Sequence, residues 1–175
     1  VHDYIILNAY QSSNNHRLNL YMNGGTSHAY ALWGYTLLKQ AIGAENVRYV
    51  YGSVNGEKRS WNIVQIGTEW YHLDLFGNDS TEKKSGSKEI KYHNFLTYTV
   101  NDRGIYNGAS GLTISSNKYN YFKTIDNLAQ SATHIYYAAA ENNGEINQLD
   151  LKNLESSSLD IDITEKVQNS ISSMI

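Results

Sequence analysis

The sequence predicts an α+β protein, a helix packed on an antiparallel sheet with a small C-terminal α/β extension. Three observations carry the fold class. Between Ser27 and Gly43 the apolar residues Tyr30, Ala31, Trp33, Leu37, Leu38 and Ala41 fall on one broad helical face. Directly after it come three short runs rich in β-branched and aromatic residues, VRYVYGSV, SWNIVQI and EWYHLDLF, separated by the turn-forming NGEK and GT. The tail then alternates helical and strand-like patterns. Nothing repeats at a fixed period, which excludes a solenoid.

Taken in order, Ile5, Ile6, Leu7 and Tyr10 follow His2-Asp3-Tyr4 with partly helical spacing, until QSSNNHR breaks the pattern with turn residues. The next helix opens at GGTS, where Ser27 or Thr26 suits the N-cap, and Gly43 suits the C-terminal stop. The three strand runs form a meander against that helix. The polar segment GNDSTEKKSGSKE, residues 77–89, predicts a surface loop, with Asn78 and Asp79 in a solvated turn. Beyond it YHNFLTYTV, GLTISS and YNYFKTI read as strands or extended segments. IDNLAQSATHIYYAAAEN predicts a helix opened by Asp126, with Leu128, Ala132, Ile135, Tyr136 and Ala139 on its inner side. INQLDL reads as a short strand and ITEKVQNSISSMI as a terminal helix. The expected division is a core over residues 1–100 and an extension of the same globular unit over 101–175.

Composition narrows the function classes. With 175 residues the chain can bury one sizeable core. Its 17 acidic and 14 basic residues leave no electrostatic footprint for nucleic acid or an anionic membrane. No apolar run approaches the ~20 residues that cross a bilayer, so no membrane insertion is expected. The opening VHDYIILNAY lacks the pattern of a signal peptide, and its start inside a helix predicts a piece of a longer protein with a missing N-terminal part. The absence of cysteine excludes disulfides, thiolate metal sites and thiol catalysis. Together with the abundance of tyrosine and asparagine, it favours a bacterial secreted or cell-surface protein.

Three motifs line up along the first half of the chain. HDYIILNAY comes first, then GTSHAYALWGYTLL at the helix start, then RSWNIVQIGTEWYHLD over two strands. Together they resemble the transglutaminase-like superfamily, whose papain-like fold carries HDY, then C-x-G-Y-A opening a helix, then H-x-W-N followed by G-x-W-Y-x-x-D. Ser27-His28-Ala29-Tyr30-Ala31 stands at the second element, Arg59-Ser60-Trp61-Asn62 at the third, and Trp70-Tyr71-His72-Leu73-Asp74 at the last. Position 59 precedes position 74 by fifteen residues, as in the family pattern. The resemblance implies a cysteine nucleophile at position 27, a histidine base at 59 and an orienting aspartate at 74. Here Ser27 and Arg59 replace the first two, and Ala29 replaces a glycine.

Arginine offers only donors and stays protonated above pH ~12, so Arg59 is no base for Ser27. The resemblance therefore implies a catalytically inactive binding or scaffolding module with its contact site at the former cleft: Ser27, His28, Tyr30, Arg59, Trp61, Asn62, Trp70, His72 and Asp74. Its partner would be a protein, a peptide or a cell-wall component, with no cofactor. The alternatives are an acyl-transfer enzyme, inactivated by mutation or using Ser27 with His28 or His72, and a structural spacer. Each residue also has a structural explanation. Arg59 and Asp74 are expected to form a salt bridge across the sheet. Side chains at 27 and 28 diverge by about 100 degrees on a helix, His72 fits the surface or a core edge, and Trp61 and Trp70 fit core and cleft wall. His16, His93 and His134 show no ligand spacing, so no metal is expected. Tyr49, Tyr51, Tyr92, Tyr98, Tyr106, Tyr119 and Tyr121 fit either strand packing or an extended peptide or glycan contact surface.

Overall fold

The computed structural model describes residues 1–12, 24–79, 90–101, 104–109, 111–130, 133–139, 146–150, 152 and 156–158. The chain divides into two units, Val1–Lys123 and Thr124–Ile175. In the first, α1 (His2–Asn8) leads to β1 (Tyr10–Gln11), which pairs in parallel with β2 (Gly24–Gly25). Helix α2 (Ser27–Ile42) follows, ended by Gly43 at φ 91°, a left-handed conformation that glycine adopts without a Cβ clash. Then come β3 (Val47–Val54), β4 (Glu57–Ile66), β5 (Glu69–Leu73), the short helix α3 (Leu75–Asn78), β6 (Phe95–Thr97), β7 (Val100–Asn101) and β8 (Gly104–Asn107). The six strands form one antiparallel sheet in the order β6-β5-β4-β3-β8-β7.

Turn chemistry sets the register. Asn55 and Gly56 both have positive φ, 53° and 85°, the backbone of the tight hairpin that follows the twist of its strands. Val54 consequently faces Glu57, and the whole of β3 runs in register along β4. β4 is the central strand, buried on both faces from Ser60 to Val64. One face carries Trp61 and Ile63, which cluster with Val50, Val54, Tyr106 and Ile114. The other receives α2, where Asn62 Nδ2 donates to the Ala31 carbonyl at 3.0 Å. The close approach of helix and strand needs Gly34, where a side chain would collide with Asn62 and Leu75.

The second unit is a four-stranded antiparallel sheet in the order β12-β11-β10-β9, built from β9 (Ile125–Gln130), β10 (His134–Ala139), β11 (Ile146–Asp150) and β12 (Ser156–Ser158). The short strand expected at INQLDL is β11. The helix expected from Ile125 is instead the β9–β10 hairpin. β10 is paired on both edges, so ladder hydrogen bonds and β-favouring Ile135, Tyr136 and Tyr137 override a weak helical periodicity. Asp126, expected as an N-cap, is the extra residue of a bulge between Ile125 opposite Ala139 and Asn127 opposite Ala138. The terminal helix expected over 163–175 lies outside the described residues, as does the loop over 80–89.

Four further expectations change. EWYHLDLF leaves the sheet at Leu73, because Asp74 caps α3 by accepting from the Gly77 amide at 2.8 Å. GLTISS forms no strand, and YNYFKTI forms a 3₁₀ turn over Asn120–Thr124 rather than extended chain. That turn follows buried Tyr119 and keeps Phe122 on the same side, three residues on. Asn78 and Asp79 are buried, not solvated: Asn78 Nδ2 donates to His2 Nε2 at 3.0 Å and Tyr30 donates to Asp79 Oδ2 at 2.5 Å. No helix among the described residues is long and apolar enough to cross a membrane.

Gly34→Ala raises intrinsic helix propensity by about 1 kcal/mol, yet the contacts around position 34 reverse its sign. A urea titration is expected to show destabilisation of roughly 1–3 kcal/mol.

Candidate functional site

β4 and β5 pair with Asn62 opposite Leu73 and Ile63 opposite His72. Extending that register sets Asp74 opposite Trp61 and makes Arg59 its diagonal neighbour on the same face. The expected salt bridge is present: Arg59 Nη1 donates to Asp74 Oδ2 at 3.0 Å, with the Asp74 side chain fully buried and that of Arg59 24 % exposed. Burial raises the Asp74 carboxyl above its ordinary pKa, while the Arg59 charge, the Gly77 amide and the Tyr106 hydroxyl oppose that rise. The guanidinium also lies over the Phe76 ring, 5.4 Å from its centroid. The strand supplies the cation and the cap of α3 supplies the anion.

Ser27 is the first residue of α2, with Thr26 at the N-cap position. Its Oγ accepts from the backbone amide of Ser60, next to Arg59, at 3.2 Å. The hydroxyl thus caps the strand rather than its own helix. His28 points elsewhere: its Nδ1 lies 2.6 Å from the Tyr49 hydroxyl, which is 2.7 Å from Ser60 Oγ. Among the described residues no imidazole is hydrogen-bonded to Ser27.

His72, expected at the surface or a core edge, is fully buried. Trp61 Nε1 donates to its Nδ1 at 2.8 Å, so the ring proton sits on Nε2, 3.2 Å from Thr99 Oγ1. Tyr106 stacks on it with ring centroids 4.5 Å apart. Burial pushes its pKa down to about 4. Trp61, Asn62 and Tyr30 are buried as well. Trp70 lies towards the other end of β5, opposite Gln65 and under the Arg48 guanidinium at 5.0 Å. The structure therefore joins Arg59 to Asp74 and sets Ser27 beside Ser60, but commits Trp61, Asn62 and His72 to the core, with Trp70 half-buried against the cluster that holds Trp61.

Arg59 also borders an open space to which Ser27 does not contribute. A cavity of about 460 Å³ is lined by Gln11, Val54, Asn55, Glu57, Arg59, Phe76, Gly77, Asp79 and Asn94. Apart from Arg59, none of these belongs to the sequence motifs. The only sequence signal for them is the alternation that puts Glu57 on the same strand face as Arg59. Gln11 arrives from β1, where its Nε2 donates to the carbonyls of Phe76 (2.8 Å) and Asp79. Among the described residues no cluster of three His, Asp or Glu side chains is arranged to hold a metal ion.

Compared with models of known protein families and with curated proteins, the chain matches none. The chemistry of the site rests on its own geometry.

Two outcomes follow from that geometry. Arg59→Ala leaves the buried Asp74 without its cation and is expected to cost roughly 3–5 kcal/mol in chemical denaturation, with part of the loss recovered by adding Asp74→Asn. For His72, folded and unfolded chains are both neutral above the ordinary value of 6.5. Below it the unfolded chain takes up a proton that the fold refuses, until the pH reaches about 4. Stability should fall across that window by about 3 kcal/mol at ~1.4 kcal/mol per unit. Burial also lowers the pKa of His2, adding in the same direction. Urea titrations from pH 7 to 4 should show the slope, and His72→Gln should flatten it partly.

Proposed function

We propose that this chain is a transglutaminase-like domain without nucleophile or base, serving as a binding or scaffolding module. It would belong to a bacterial secreted or cell-surface protein and contact a protein, a peptide or a cell-wall component. The observation that carries this reading is the Arg59–Asp74 pair at the two positions where the resemblance implies a histidine and its aspartate. A guanidinium has no lone pair to receive a proton, and its charge is held by a buried carboxylate. Ser27 adds support, because its oxygen is engaged by the Ser60 amide with no imidazole bonded to it. A serine hydroxyl without a base is a poor nucleophile.

The test is incorporation of a fluorescent amine into a glutamine-donor peptide, run with the chain and with Ser27→Ala. No incorporation above the protein-free control is expected from either. Incorporation that disappears in Ser27→Ala would overturn the reading. A double variant, Ser27→Cys with Arg59→His, is expected to gain a thiol that reacts with iodoacetamide faster than a free cysteine below pH ~8.5, because helix start and imidazole together favour thiolate.

A further inference from the structure

The cavity beside Arg59 presents polar atoms that the described residues leave unsatisfied. Arg59 gives Nη1 to Asp74, and its remaining N–H groups take no partner among the described residues. Gln11 uses Nε2 on two carbonyls, which leaves Oε1 as an acceptor. Asn94 receives the Tyr106 hydroxyl on Oδ1 at 3.2 Å, which leaves Nδ2 as a donor. Glu57 is exposed, and its carboxylate forms neither an ion pair nor a hydrogen bond among the described residues. Donors and acceptors thus stand side by side, with Val54 and Phe76 as the apolar part of the wall.

Charge selects among ligands. Arg59 is already matched by Asp74, and the exposed Glu57 carboxylate stands on the lining, so a phosphate or other anion would meet net repulsion. A ligand whose every polar group both donates and accepts satisfies this wall without bringing charge, and the hydroxyl group is that group. We propose that the cavity binds a short neutral saccharide, with neighbouring hydroxyls accepting from Arg59 and Asn94 and donating to Glu57 and Gln11. About 460 Å³ holds roughly one or two sugar rings. The assignment rests on the binding-module reading and gives it a ligand class.

The experiment titrates maltose, cellobiose and N,N′-diacetylchitobiose into the isotope-labelled chain and follows backbone amide shifts. At least one should saturate, with shifts concentrated at Gln11, Glu57, Gly77 and Asn94. Glu57→Ala should weaken that binding about tenfold or more with unchanged thermal stability, because Glu57 has no partner to lose. Glu57→Gln should keep it within about threefold, since an amide oxygen still accepts from a hydroxyl. Saturation by none of the three sugars overturns the proposal. So does lysine methyl ester binding at the cavity in their place and lost in Glu57→Gln, which would identify a cation site. Amine incorporation dependent on Ser27 alongside intact sugar binding would sink the inactive reading alone; absent incorporation with no sugar binding would sink this proposal alone.

Discussion

A carboxylate with no exposure to water must be satisfied by the protein, and Asp74 is the point where that demand shapes everything near it. Its two oxygens are divided: Oδ1 accepts from the Gly77 amide and Oδ2 from Arg59. The first bond ends β5 by opening α3, and the second holds the Arg59 guanidinium beside the carboxylate, over Phe76. Position 77 must then be glycine-sized, because a Cβ there would stand 2.7 Å from Asp74 Oδ2 and 2.8 Å from Asn94 Nδ2. The wall of the cavity is therefore a by-product of burying one charge.

The same economy of partners runs through the rest of the first unit. Ser60 lends its amide to Ser27 and its hydroxyl to Tyr49, which ties the start of α2 to β4. Asn62 fastens the next turn of the helix to the same strand. His2 joins α1 to α3: Asn78 Nδ2 donates to its Nε2, leaving Nδ1–H to donate to Asp3 Oδ1 at 2.7 Å. Asn78 in turn accepts the Asn94 amide at 2.6 Å. Groups that carry chemistry in other settings are here spent on holding helices to a sheet. A neutral His72 inside an aromatic box has no route to accept a proton from Ser27 while Trp61 occupies its only lone pair.

This commitment separates the two faces of the site. Ser27 and His28 sit with Tyr49 and Ser60 where the helix begins, whereas the free polar atoms of Arg59, Asn94, Gln11 and Glu57 border the cavity. The positions linked to catalysis by resemblance and the positions with unsatisfied hydrogen-bonding capacity overlap only at Arg59. Binding and acyl-transfer chemistry are thus distinguishable by mutation.

Local patterns in the sequence were enough for α1, α2, the Gly43 stop and the β3–β4–β5 meander, because each rests on spacing, a turn dipeptide or a cap within a few residues. The Arg59–Asp74 pair was legible for a similar reason: two strands joined by a short turn leave little freedom in register. The β9–β10 hairpin was not, since its residues fit a helix until partners on both edges fix them as strand. Nor was the burial of Asn78 and Asp79, two polar residues that look solvated until His2, Asn94 and Tyr30 arrive from distant parts of the chain. The sequence alone determined the helix-on-sheet core and placed at position 59 a guanidinium that cannot act as a base, both written in residue type and spacing. Only the tertiary structure decided that His72 is neutral and enclosed and that a polar cavity gathers Gln11, Glu57 and Asn94 around Arg59, because hydrogen-bond partners far apart in the chain become neighbours only when the fold is complete.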